Sequence, residues 1–142
     1  MPTLFTKIIE GDIPGRFVWR QDDVVAFLTI NPITTGHTLV VPVAEVDHWL
    51  DLDPALAARC IQVGQAIGQA QMTAFSPTRV GLIIAGLEVP HTHLHLIPID
   101  SEGDLSFAKA DPDPSPDGLD DAADRLRAAL RAGGHADAVP NG

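Results

Sequence analysis

The chain has 142 residues, 45% of them apolar, with 19 acidic and 9 basic side chains for a net charge of −10, and a single cysteine, Cys60. That length suits one globular domain with one core. No run of ~20 apolar residues is present to span a bilayer, one thiol forms neither an internal disulfide nor a thiolate metal cluster, and no Lys/Arg cluster awaits a nucleic acid polymer.

The first residues, Met1-Pro2-Thr3-Leu4-Phe5-Thr6-Lys7, lack the apolar stretch of a signal peptide, which predicts a cytoplasmic protein with no membrane partner. The acidic excess is uneven: residues 1–99 hold 9 acids and 5 bases, whereas residues 100–142 hold 10 acids and 4 bases. A small phosphorylated ligand remains compatible with this balance, because backbone N–H groups and imidazoles suffice to hold one.

In chain order, Leu4, Phe5, Ile8 and Ile9 recur at helical spacing until Gly11-Asp12-Ile13-Pro14-Gly15 stops them, so a short helix opens the fold. Phe17-Val18-Trp19 and Val24 to Leu28, separated by Arg20-Gln21-Asp22-Asp23, predict a hairpin. A third strand is expected from His37 to Pro42. Residues 53–75 read as the long helix, with Asp53 as cap, Pro54 at the first position, and Leu56, Cys60, Ile61, Val63, Ala66, Ile67 and Ala70 along it. Arg79 to Ala85 and a histidine-rich segment ending at Ile99 supply strands four and five. Cys60, Trp19 and Phe27 are read first as core, His48-Trp49 as a partly buried surface pair.

Beyond Ile99 the sequence turns acidic and proline-rich, and Asp111-Pro112-Asp113-Pro114-Ser115-Pro116 is incompatible with helix or central strand. Residues 100–118 therefore read as a solvated arm. A last helix is expected over about 119–132, with Leu119, Ala123, Leu126 and Leu130 on one face, then a frayed tail in which His135 has no role. Residues 1–99 are expected to form the body of a single domain to which the helix and tail of residues 119–142 also belong. Strands clustered around one long helix, without βαβ alternation, predict an α+β fold with helices on a five-stranded antiparallel sheet.

The chemistry lies in Pro90-His91-Thr92-His93-Leu94-His95-Leu96-Ile97-Pro98. On a strand, His91, His93 and His95 share one face while Leu94 and Leu96 enter a core. Three unconnected surface histidines would be the bland alternative. A zinc site is a second: two histidines at i and i+2 can share an ion, but His91 and His95 would lie roughly 13 Å apart along a strand, so further ligands such as His37 would be required. A third is nucleophilic catalysis at phosphorus. Neutral imidazole carries a lone pair at pH 7 and attacks without a separate base, forming a phosphoramidate whose protonated ring is then a good leaving group for water. Flanking histidines would support the ring and hydrogen-bond developing charge.

This segment resembles the signature of the histidine triad (HIT) family of nucleotide hydrolases and transferases. The resemblance extends over Phe5 to Pro14, Ala26-Phe27-Leu28, Asn31-Pro32 and Gly36 to Pro42, and covers roughly residues 3–99. It implies a HIT-like α+β fold, attack by His93 at the α-phosphorus of a nucleotide with release of a nucleoside monophosphate, His95 on the phosphate or leaving group, and His91 and His37 orienting the site. It further implies Phe27, Thr29, Asn31, Gly86, Glu88 and Val89 around the nucleotide, no metal, no cofactor, and a homodimer whose sheets meet.

The chain departs from that pattern in places. Thr29 stands where the family usually has an aspartate that accepts from both ribose hydroxyls, a change worth roughly 1–3 kcal/mol of binding. Val43 replaces a lysine, and Leu87-Glu88 replace a polar pair; Glu88 is expected to face solvent or bond backbone N–H groups, because a buried unpaired acid is costly. These departures keep open a second class of function, a nucleotide-binding regulatory or scaffold protein with little turnover.

Overall fold

The computed structural model describes residues 2–141 of the chain. Helix α1 (Leu4–Ile9) is followed by strands β1 (Phe17–Arg20), β2 (Val24–Leu28) and β3 (Thr38–Pro42), the long helix α2 (Pro54–Phe75), strands β4 (Arg79–Ile83) and β5 (Leu94–Ile99), and helix α3 (Pro116–Leu130). The strands form one antiparallel sheet in the order β1-β2-β3-β5-β4. This is the α+β architecture expected from the sequence. Among the described residues, no helix is long and apolar enough to cross a membrane.

Alternation along the strands divides the core in two. Val24, Ala26 and Leu28 of β2, Val40 of β3, and Leu94 and Leu96 of β5 pack against α2 residues Cys60, Val63, Ile67 and Ala70 and against α3 residues Ala123, Leu126 and Leu130. Val25 and Phe27 of β2, with Leu39 and Val41 of β3, face the opposite way and are covered by Phe5 and Ile8 of α1. Both faces of β2 and β3 are thus buried, in keeping with sequences that are apolar throughout except for Thr38. Because Leu39 is the register partner of His95, His95 shares the α1 face.

Several boundaries differ from expectation. β5 begins at Leu94, so His91 and His93 lie on the extended approach to the strand rather than within it. The period-2 alternation nevertheless persists, since Leu94 and Leu96 enter the core. β4 ends at Ile83, before the Gly86 turn at φ +77°. Asp53 precedes α2 but makes no side-chain cap bond.

α3 starts at Pro116, with the Ser115 side chain accepting from Gly118 N; proline at the first helical position loses no hydrogen bond, so the proline-rich run is a helix start rather than a barrier. Its buried residues are Ala122, Ala123, Leu126, Arg127 and Leu130, with Leu119 only half-buried. Arg127 Nε donates to Phe17 O at 2.8 Å and docks the helix on β1. The tail is packed, not frayed: Ala138 and Val139 are buried in the main core, and His135 lies 5.3 Å from Trp19, ring centroid to centroid.

The acidic arm is also structured. Two short 3-10 turns, Glu102–Asp104 and Phe107–Lys109, interrupt it. Asp111 N donates to Pro32 O and Asn31 Nδ2 donates to Asp111 O, both at 2.9 Å, which ties the arm to the loop after β2.

Candidate active site

The four histidines expected to act together do converge. His37 enters β3, His95 lies on β5 beside it, and His91 and His93 run up to β5 from the preceding loop. Rings of His93 and His95 lie 4.9 Å apart between centroids, and those of His37 and His95 5.1 Å apart. Phe5 of α1 packs edge-on against both His91 and His93, at 5.8 and 4.8 Å. His91, His37 and His93 are buried, and His95 is half-buried.

Hydrogen-bond partners assign the ring protons. His93 Nδ1 lies 2.7 Å from the His91 carbonyl. A carbonyl only accepts, so the His93 proton is on Nδ1 and its Nε2 carries a bare lone pair. Ile33 N donates to His37 Nδ1 at 3.1 Å, which leaves the His37 proton on Nε2. That nitrogen lies 2.9 Å from His95 Nδ1, so His95 accepts there and presents Nε2–H as a donor. One ring therefore offers a lone pair and its neighbour offers a proton.

Burial, the largest cause, depresses all three basicities. His37 falls from 6.5 to about 3, with the nearby His95 adding to the effect, and His95 falls to about 4, with His93 adding. His93 is lowered by burial, which outweighs the raising effect of its bond to the His91 carbonyl; the His91 ring adds a smaller lowering and Glu88 a smaller raising effect. Desolvation disfavours imidazolium, so these rings are neutral at pH 7.

His37, His93 and His95, but not the fully buried His91, line a cleft of about 1030 Å³ on the α1 side of the sheet. Of the residues expected around a nucleotide, Phe27, Thr29, Asn31, Gly86, Glu88 and Val89 all line it. Phe27 is at once core and cleft wall, edge-on to Phe5 at 5.6 Å. Thr29 Oγ1 accepts from Asn31 N at 3.3 Å, while the Asn31 amide is engaged by the arm rather than free for a ligand. Glu88 is exposed, as expected. His48 and Trp49 are both exposed and do not line the cleft. Arg16 is the single Lys or Arg in the wall among the described residues, and its Nε is 2.7 Å from Asp120 Oδ1.

Sequence reasoning missed the arm's contribution. Phe107 lies 5.0 Å from His95 in an edge-on contact and lines the cleft with Ala110 and Pro112. A lone aromatic in an otherwise polar, acidic stretch was the available signal. Thr3 was missed as well: its Oγ1 lies 2.8 Å from His91 Nδ1.

The fold and site define a class of small α+β proteins in which an antiparallel sheet carries histidines at the wall of a cleft. The sequence profile described as the HIT domain matches residues 10–102, and the chain belongs to that family. An uncharacterized HIT-like protein of Borreliella burgdorferi is 39% identical over 67% of this chain and 73% of its own. A Zn-bound histidine triad family protein from Mycobacterium smegmatis superposes with a TM-score of 0.80 at 29% identity, over 94% of this chain and 96% of that one. Adenylylsulfatase HINT3 of Arabidopsis thaliana is 28% identical over 67% of this chain and 51% of its own length. Among the described residues of the present chain, no three His, Cys, Asp or Glu side chains group closely enough to hold a metal ion.

Proposed function

We propose that this HIT protein is a nucleotide hydrolase or nucleotidyl transferase that works through a covalent intermediate on His93. The observation that carries the reading is the opposite polarity of two adjacent rings: His93 with Nε2 bare, His95 with Nε2 protonated. Attack by His93 Nε2 forms an N–P bond at the α-phosphorus while the bond to the leaving group breaks. His95 Nε2–H hydrogen-bonds the departing atom or a phosphoryl oxygen. Water then cleaves the N–P bond and frees the ring. Over the two steps one water is consumed, its oxygen ending on phosphorus as the nucleoside monophosphate and one of its protons on the departing group.

The cleft's charge supports a leaving group that is neutral or cationic rather than a polyphosphate. Glu88 and Asp120 line the wall, and Arg16, its cation, is already paired. A phosphoramidate therefore fits better than a dinucleoside polyphosphate, whose several negative charges would meet no free counter-charge. We extend the reading to a cytoplasmic homodimer joined through the edge strand β4, where Leu82 is exposed.

The second reading, a nucleotide-binding regulatory or scaffold protein, is favoured by Thr29 in place of a bidentate ribose acceptor. Incubation with adenosine 5′-phosphoramidate separates the two. The enzyme releases AMP and His93→Ala abolishes that release, whereas a binder shows saturable affinity and no product.

A further inference from the structure

A hydrogen-bond chain reaches the histidine row from the amino-terminal residues, and the reaction above does not use it. Glu45, in the loop after β3, accepts at Oε1 from Thr3 N at 2.7 Å and from Thr6 Oγ1 at 2.8 Å. Thr6 N donates to Thr3 Oγ1 at 3.2 Å, which caps α1. Thr3 Oγ1 then stands 2.8 Å from His91 Nδ1, while His91 Nε2 stands 2.7 Å from the Pro42 carbonyl.

The proton assignments follow from the partners. Pro42 O only accepts, so a His91 ring that carries one proton carries it on Nε2, and its Nδ1 accepts. The Thr3 hydroxyl is the donor within reach; its other neighbour, Thr6 Oγ1, is farther at 3.3 Å. His91 has no exposed surface, so an Nδ1 left unpaired would carry the full cost of a buried polar atom. The same residue supplies the carbonyl that holds His93 Nδ1–H at 2.7 Å. Next to it, Thr92 N and Oγ1 donate to Val46 O at 2.7 and 2.9 Å, so the loop after β3 grips the approach to β5 through two hydrogen bonds at Thr92. Thr3 and Thr6 lie before residue 10, where the match to the HIT profile begins.

We propose that Thr3, braced by Glu45, is a positioning residue: its hydroxyl donates to His91 Nδ1 and thereby fixes the ring and carbonyl that orient His93. The inference rests on the reading of His93 as the nucleophile. Thr3 also anchors α1, whose Phe5 spaces the His91 and His93 rings, so both contacts act on the same geometry.

The test uses the full chain, adenosine 5′-phosphoramidate as substrate, and two substitutions. Thr3→Asp keeps an oxygen able to cap α1 but brings only acceptors at neutral pH; Thr3→Ser keeps the hydroxyl. With Thr3→Asp, kcat falls about tenfold while KM stays within about twofold, the scale expected of misorientation without lost binding. The imidazole 15N spectrum shows His91 gaining a proton on Nδ1, and Thr3→Ser restores both rate and spectrum. A Thr3→Asp protein with unchanged kcat, or with an unchanged His91 pattern, overturns the proposal. Failure of the underlying reading looks different: His93→Ala would still release AMP, while the His91 spectrum would continue to report whether Thr3 donates.

Discussion

His37 Nε2 lies 2.9 Å from His95 Nδ1, and that single contact joins two rings whose basicity burial has already reduced, to about 3 and about 4. Charging either ring places a cation against the other. Unfolding restores both to 6.5, so between about 4 and 6.5 the unfolded chain binds more protons than the folded one. Stability from these groups is therefore complete above pH 6.5 and is lost as pH falls through that window, with a slope of up to about 1.4 kcal/mol per pH unit for each ring. Urea unfolding midpoints at pH 7, 6 and 5 check this. A midpoint that does not change between pH 7 and 5 contradicts it.

Thr29→Asp supplies two carboxylate oxygens where one hydroxyl now stands, beside Asn31 N. Affinity for AMP rises by about 1–2 kcal/mol, roughly five- to thirtyfold. The 2′,3′-dideoxy analogue gains nothing, because it lacks the hydroxyls to be read. Titration calorimetry with both nucleotides decides the matter; an equal gain for the two places Thr29 away from a ribose.

Much of this fold was legible because its signals were local. The short β-rich runs Val24 to Leu28 and Thr38 to Pro42 named the strands, and the His-x-His-x-His spacing placed three rings on one side of the chain even though the ladder begins only at Leu94. What escaped notice depended on contacts without a local period. Phe107 reaches His95 because Asn31 and Pro32 hold the arm, a pairing across 80 positions that no window of sequence contains. Pro116 looked like a helix breaker, yet at the first helical position its missing N–H costs nothing. The tail looked frayed because Ala138 and Val139 are too few to show a pattern, although both complete the core under α3.

The arm's hold on the cleft rests on two hydrogen bonds, and Asn31→Ala removes one of them. The loss is of order 1 kcal/mol and local. Hydrogen exchange at Asp111 and its neighbours accelerates, while amides of α2 keep their protection. Unchanged exchange at Asp111 contradicts the assigned anchor.

Gly36 adopts φ +89°, and a Cβ there would sit 2.3 Å from Phe75 Cε2. Gly36 O also accepts from the buried Gln71 Nε2 at 2.9 Å, immediately before His37. Gly36→Ala therefore destabilises the fold by about 2–3 kcal/mol through strain and displacement of Phe75. Denaturant unfolding measures it, and a loss below about 0.5 kcal/mol, the scale of an ordinary surface change, contradicts the packing described.

The most direct measurement of the central claim is mass spectrometry of protein quenched during turnover of adenosine 5′-phosphoramidate. An adenylyl group is expected on the peptide spanning residues 91–95, localised to His93 and missing from His93→Ala. AMP release without such an adduct, or an adduct that persists in His93→Ala, would contradict attack by the bare Nε2 of His93.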